Sequence, residues 1–413
     1  VYVVADTSGH AQLAQVPEAQ SALVALDPDD GGVAALVGGF DYFTNKYNRA
    51  TQAKRLPGSG FKPFLYSAAL ENGFTPASTL LDAPFVQEGQ GIEGSWRPEN
   101  HGGRFGGPTR LREALAFSRN LVTIRLLHEL GTPYATDYAT RFGFDKRIMP
   151  QNLTLALGTL QVTPLEIASA YAVFANGGFR VQPYFVDRIE NALGEVVYRA
   201  SPRIACEPCE HPVDLSQLPQ GGNPDQVLQA EDALRGGPGP LSAEQLAPRV
   251  ISPQNDYIMT DMMADVIKHG TGRRALQLNR SDLAGKTGTT NQSKDTWFNG
   301  FTPHLVATVW VGFDQERPLG ESEEGAKTAL PIWIHFMREA LKGVPQEKRP
   351  MPDGIVTLRV SPQTGALVSS ENPDGVSEIF MADHLPAAAG DQGSMAQSAE
   401  GGPAGQAGGE PIF

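Results

Sequence analysis

Two apolar runs in residues 21–40 (SALVALDPDDGGVAALVGGF) flank the turn Asp27-Pro28-Asp29-Asp30-Gly31-Gly32, which is the pattern of a β-hairpin. The period then changes. Residues 59–72 read as a helix, with LYSAALEN as its good helix-forming part. Residues 110–131 read as a second helical stretch stopped by Gly131. Residues 164–175 read as a third, stopped by Asn176-Gly177-Gly178. Residues 254–269 are helical by period, with Met259, Met262, Met263, Val266 and Ile267 as the apolar set. Such a methionine cluster reads as core rather than as a cofactor-binding face. Residues 283–290 and 305–313 (LVATVWVGF) read as strands joined by the turn region WFNGFTPH, and residues 331–342 as a closing helix. A hairpin first, helices in the middle and strands late predict an α+β domain. Its antiparallel sheet, flanked by helices, sets N- and C-terminal strands side by side.

This pattern also divides the chain. Residues 1–20 read as the remnant of an upstream linker, and 21–345 as the main domain. Within it, 201–250 is rich in Pro, Gly and Gln around Gly236-Gly237-Pro238-Gly239-Pro240 and reads as an insertion. Residues 346–385 form a small β appendage, with a hairpin over 354–370 outside the main core. Residues 386–413, rich in Ala, Gly and Gln, have too little apolar mass to fold and predict disorder.

Composition narrows the function classes. The 413 residues carry 33 Lys and Arg against 46 Asp and Glu, a net charge of −13. An acidic chain without a basic cluster is a poor partner for nucleic acid. No signal peptide opens it, and no run of about 18 apolar residues offers a membrane span. The two cysteines, Cys206 and Cys209, are three apart in a Pro-rich segment. Zinc needs further ligands, and His211 is the one obvious neighbour, so a structural disulfide or a free pair is preferred over metal or redox chemistry.

Chemistry concentrates in three short stretches. In Pro57-Gly58-Ser59-Gly60-Phe61-Lys62-Pro63, Ser59 and Lys62 fall on one helix face. Pro63 is tolerated only in a first turn, so the helix must begin near Ser59 or Gly60. Ser59 then sits where free N–H groups favour developing negative charge. A serine hydroxyl needs a base, and a desolvated Lys62 supplies one. In Ser118-Arg119-Asn120, the serine can relay a proton and the Asn120 amide can bind a peptide group. In Lys286-Thr287-Gly288-Thr289-Thr290, Gly288 on a strand permits close approach of an extended substrate, and Lys286 and the threonine hydroxyls can hold a carboxylate. Each stretch alone is a weak signal. Each has a bland reading as helix caps or a solvated lysine.

In this order and structural context, the three stretches resemble the penicillin-binding protein and serine β-lactamase superfamily. The flanking residues are more specific. Tyr47-Asn48-Arg49-Ala50-Thr51-Gln52-Ala53, Lys62-Pro63-Phe64, Trp96-x-Pro98-x-Asn100, Thr163-Pro164-Leu165-Glu166, Ala175-Asn176-Gly177-Gly178 and Trp297-Phe298 look like a class A penicillin-binding protein, the bifunctional peptidoglycan synthase of Gram-negative bacteria. The resemblance runs over roughly residues 20–345 and implies the transpeptidase portion. The membrane anchor and glycosyltransferase domain of that family are not recognisable here. It implies Ser59 as the acylated nucleophile, Lys62 as its neutral base, Ser118 as the relay to the leaving D-alanine nitrogen and Asn120 as a donor-peptide ligand. Lys286 supports the relay and stays charged, and Thr287 and Thr289 hold the terminal carboxylate. The backbone N–H groups of Ser59 and Thr289 form the oxyanion hole. Trp96 is a candidate groove wall, against the commoner fate of a tryptophan in a core.

The implied activity is D,D-transpeptidation of peptidoglycan stem peptides, blocked by β-lactams, with no cofactor and no metal. The implied setting is the periplasm, as part of a protein anchored in the inner membrane, with lipoprotein activators and elongation proteins as partners. A D,D-carboxypeptidase differs only in the acceptor. A penicillin-sensing domain would still acylate or would lack a motif member. A class A β-lactamase positions water with a Glu-x-x-x-Asn pattern. That pattern is missing here, because Glu166 is followed by Ala170 on a helix.

Overall fold

The computed structural model describes residues 2–88 except Thr7, 95–210 and 244–386. Most of the 201–250 insertion and nearly all of the 386–413 tail lie outside the described residues. The first residues form a two-stranded hairpin, β1 (Tyr2–Ala5) and β2 (Ala11–Ala14). The central sheet has five antiparallel strands: β3 (Gln20–Leu26), β4 (Val33–Val37), β9 (Ala284–Thr289), β10 (Asp295–Thr302) and β11 (Leu305–Gly312). Their order is β4-β3-β11-β10-β9, so the N-terminal hairpin does pair with the late strands. β9 is left as an edge.

Alternation along the strands fills two layers. Ala22, Val24 and Leu26 of β3, with Trp297, Phe301 and Trp310, face the larger cluster. That cluster is built on helices α2 (Lys62–Glu71), α4 (Asn120–Leu130), α5 (Thr132–Ala139), α6 (Pro164–Ala175) and α7 (Pro253–Lys268). Leu23, Ala25, Phe298, Ala307 and Val309 face the other way, against Leu330, Trp333 and Met337 of α8 (Ala329–Ala340). Met259, Met262 and Met263 are fully buried core residues. α6 starts on a capping box: Thr163 Oγ1 accepts from Glu166 N, and Glu166 accepts from Thr163 N. None of the helices among the described residues is long and apolar enough to cross a membrane.

Three expectations need correction. The region WFNGFTPH is not a turn. Most of it is the all-buried strand β10, and the turn is only Pro303-His304. Asn299-Gly300 mimics a hairpin turn but serves packing. Gly300 leaves room for Trp333, whose Cζ2 would lie 2.6 Å from an added Cβ, and Asn299 Oδ1 accepts from Thr308 Oγ1 at 3.0 Å. The stretch 110–131 is not one helix but two, α3 (Leu111–Ala116) and α4, broken at Ser118, whose φ is +58°. The late hairpin pairs β12 (Ile355–Val360) mainly with β13 (Val376–Met381); residues before 370 add only the bridge between Val360 and Leu367. Its Ile355 and Met381 join the main core. Cys206 and Cys209 are disulfide-bonded.

The hairpin is also tied to the helices by charge. Glu378 of β13, 2% exposed, accepts from Arg112 Nε and Nη2 at 2.5–3.0 Å and from Arg110 Nη1 at 3.2 Å. Arg112 also donates to Asp261 and Asp265 of α7, both at 2.7 Å. Removing Glu378 strips Arg112 Nε and Nη2 and Arg110 Nη1 of their buried acceptor, while Arg112 keeps Asp261 and Asp265 at Nη1. Glu378→Ala is therefore expected to destabilise the fold by about 3–5 kcal/mol in denaturant titration. A change within the scatter of surface substitutions would contradict this.

Candidate active site

Ser59 sits in a single 3-10 turn, Gly58–Phe61, that runs into α2, so Pro63 does fall in the first α turn. Two other segments press on that turn. Gly58 has φ +55°, and an added Cβ would lie 2.6 Å from Thr289 O at the end of β9. A Cβ on Gly158 would lie 2.0 Å from Gly58 O. Leu56 O accepts from Trp297 Nε1 at 2.8 Å, and Arg55 is bound to the buried Asp295 at 2.7 Å. The nucleophile turn is thus fixed by the sheet beneath it.

The three sequence stretches converge. Lys62 is fully buried, and its Nζ donates to Ser118 O (2.8 Å), Ser118 Oγ (3.3 Å) and Asn120 Oδ1 (2.8 Å). Lys286, also fully buried on β9, donates to Ser118 Oγ (2.9 Å) and to Thr287 O (3.1 Å). Ser118 Oγ therefore lies between two lysine amines. Ser59 lines the same cleft, partly exposed, but its Oγ makes no hydrogen bond among the described residues; Lys62 spends its donors on Ser118 and Asn120 instead. Such contacts tighten when substrate binds.

Burial governs both lysines. Desolvation, then the neighbouring Lys286 charge, holds Lys62 well below the usual lysine range, against an opposing pull from Asp82. Desolvation brings Lys286 down to about 7. Two ammonium groups cannot share Ser118 cheaply, and burial beside Lys286 pushes Lys62 toward the neutral form. The charge on Lys286, expected to be constant, instead depends on pH near neutrality.

β9 borders the cleft. Thr290 N–H donates inward to Asp295 O at 3.0 Å, so strand alternation turns the Thr289 N–H to the open edge. Thr287 Oγ1 pairs with Thr271 Oγ1 at 2.7 Å, and Thr289 Oγ1 accepts from Gly325 N at 3.1 Å. Both threonines line the cleft, whose volume is about 960 Å³. An added Cβ on Gly288 would meet Pro57 O at 2.5 Å. Trp96 also lines the cleft and packs edge-on against Phe85, with centroids 6.3 Å apart. Sequence reasoning missed Thr271, whose only signal was its place in His269-Gly270-Thr271-Gly272. Glu166 lies outside the cleft lining, bound to Lys54 at 2.5 Å and to the Thr163 cap. No group of three His, Cys, Asp or Glu side chains is placed to hold a metal among the described residues.

The penicillin-binding protein transpeptidase domain model matches residues 21–332. Penicillin-binding protein 1A of Pseudomonas aeruginosa is 48% identical over 391 residues, covering 92% of this chain and 47% of that protein. The Escherichia coli penicillin-binding protein 1A is 40% identical over 398 residues, 87% of this chain and 47% of that protein. This chain thus spans about half the length of these curated relatives. The crystal structure of penicillin-binding protein 1A from Haemophilus influenzae superposes with a TM-score of 0.82 at 39% identity, covering 93% of this chain and 56% of that one. The PonA1 protein of Mycobacterium tuberculosis, in complex with penicillin V, gives 0.63 at 27% identity, over 81% of each chain. The chain belongs to the penicillin-binding protein transpeptidase family.

Proposed function

We propose that this chain is the serine D,D-transpeptidase unit of a peptidoglycan synthase. The observation that carries the reading is Ser118 Oγ held between the amines of Lys62 and Lys286, next to Ser59 in one cleft. Neutral Lys62 takes the proton as Ser59 Oγ attacks the carbonyl of the penultimate D-alanine of a donor stem peptide. The N–H groups of Ser59 and Thr289 stabilise the oxyanion. As the tetrahedral intermediate collapses, the proton passes through Ser118 to the leaving D-alanine nitrogen. An acceptor stem-peptide amine then attacks the Ser59 ester, and the hydroxyl is regenerated. Asn120 holds the donor amide. Lys286, Thr287 and Thr289 hold the terminal carboxylate, the β9 edge takes the donor backbone, and Trp96 walls the groove; the room at Gly288 goes to the Pro57 carbonyl before the Ser59 turn. β-Lactams enter as donor mimics. The same reading puts the domain on the periplasmic side of an anchored protein, with lipoprotein activators and elongation proteins as its partners.

The pH dependence follows with a definite sign. Acylation needs Lys62 without its proton, so the rate rises with pH as Lys62 deprotonates. It also needs Lys286 charged, and that charge is lost as pH rises through about 7. The second-order rate of penicillin acylation should be bell-shaped, with its falling limb near neutrality. Lys286→Arg keeps the charge and should remove that limb. A wild-type rate still climbing well past neutrality would contradict the assignment. Turnover itself is tested with a D-Ala-D-Ala peptide and an amine acceptor. The expected product is the cross-linked peptide; release of D-alanine to water alone would move the chain to the carboxypeptidase reading.

A further inference from the structure

Asp82, the last residue of β5 (Thr79–Asp82), is fully buried, yet nothing in the chemistry above uses it. Its Oδ1 accepts from Asn100 Nδ2 at 2.5 Å, and its Oδ2 accepts from Gly106 N at 2.9 Å. Asn100, 4% exposed, is saturated. Its second N–H donates to Arg104 O at 2.9 Å. Its oxygen accepts from the backbone N–H groups of Asn120 (2.9 Å) and Leu121 (3.2 Å). Asn100 is thus the cap of α4, delivered from a loop 20 residues earlier. The local cap residue, Arg119, makes no side-chain cap bond.

A helix that needs only a cap takes one from its own Ncap residue. Here the cap comes from the segment that also forms the cleft wall. That segment grips Asn120 twice, because Asn120 Nδ2 donates to Glu99 O at 2.9 Å. The free face of Asn120, its Oδ1, is the acceptor for Lys62 Nζ. The turn being held contains Ser118 at φ +58°, a conformation that a serine keeps only when its surroundings impose it. We infer that Asp82 and Asn100 are a positioning pair that fixes the Ser118–Asn120 turn, and through it the Lys62 amine, for the acylation step. Neither residue touches the reacting atoms; both act through Asn120. The inference rests on the proposed roles of Ser59 and Lys62.

The test is a side-chain swap. Asp82→Asn and Asn100→Asp each break the pairing. In the double variant the amide at 82 donates to the carboxylate at 100, which still caps Asn120 and Leu121. Only Arg104 O then loses its donor. Each single variant should lower the limiting acylation rate at saturating benzylpenicillin by about 10²-fold, with the pre-acylation dissociation constant little changed. The double variant should recover at least about tenfold of that loss. The pH profile separates positioning from simple loss of fold. The charged groups around Lys62 are Lys286 from β9 and Asp82 from β5, with Arg119 Nε 3.7 Å from Asp82. Asp82→Asn removes the one negative charge that favours the Lys62 proton, so the rising limb should move to lower pH. Asn100→Ala should lower the plateau without moving that limb. Folded single variants acylating at the wild-type rate would overturn the inference. So would a folded double variant no faster than the singles, or a double variant that does not fold. A wild-type protein that acylates elsewhere than Ser59 would instead sink the catalytic reading beneath it.

Discussion

Lys62→Arg is expected to slow penicillin acylation by about 10²–10⁴-fold, the range a positioned general base contributes. Guanidinium keeps its proton throughout the working pH range, so Ser59 would lose its acceptor. The site also argues against a second permanent cation, since Lys62 is buried beside Lys286 and both amines face Ser118 Oγ. The larger side chain must fit where Ser118 O and Asn120 Oδ1 already take the amine at 2.8 Å. Lys62→Met removes the base at similar volume, and should fall as far in rate without the cost of burying a permanent cation. The two variants, read with their melting temperatures, separate lost base chemistry from lost fold. Near-normal acylation in either would refute the base assignment.

The penicilloyl ester should persist for many minutes to hours, which by rate arithmetic is a barrier above ~20 kcal/mol. Forming the ester and hydrolysing it need different groups. In the proposed mechanism Ser59, Lys62 and Ser118 suffice for the first. The second needs a base that holds water against the far side of the ester. Glu166, the residue nearest to that description in the sequence, is committed elsewhere. It closes the capping box of α6 and binds Lys54, and it is not part of the cleft lining. Four acids among the described residues line the cleft: Asp295 is held by Arg55 and Trp310, and Glu324 by His101 at 2.8 Å, so Glu99 and Glu316 are the two to replace by Gln should the ester prove short-lived. A stem-peptide donor loses its D-alanine and opens the site to an amine. A penicillin keeps its leaving group tethered and blocks that entry.

The residues proposed to react were legible in the sequence because their signals are local. A proline one residue after Lys62 marks the helix start, and Lys-Thr-Gly marks a strand closely approached by another backbone, which is that of Pro57. What was not legible came from long range. Nothing in Phe117-Ser118-Arg119 breaks a helix by propensity; the break at Ser118 goes with a cap that Asn100 delivers to α4 from outside. Asn299-Gly300 carries the chemistry of a turn, and only the partner Trp333 shows why a glycine stands in a buried strand. Glu378 interrupts an apolar run and hides β13 until Arg110 and Arg112 are seen around it. Thr271 reaches the cleft from the loop after α7 and could be recognised only beside Thr287.

The most direct test of the central claim is intact-mass measurement after exposure to benzylpenicillin and removal of free drug, followed over time and mapped by peptide digestion. The account predicts one penicilloyl adduct, on the peptide carrying Ser59, decaying over many minutes to hours, and no adduct on Ser59→Ala. An adduct that survives Ser59→Ala, or one that leaves the wild type within seconds, would contradict it.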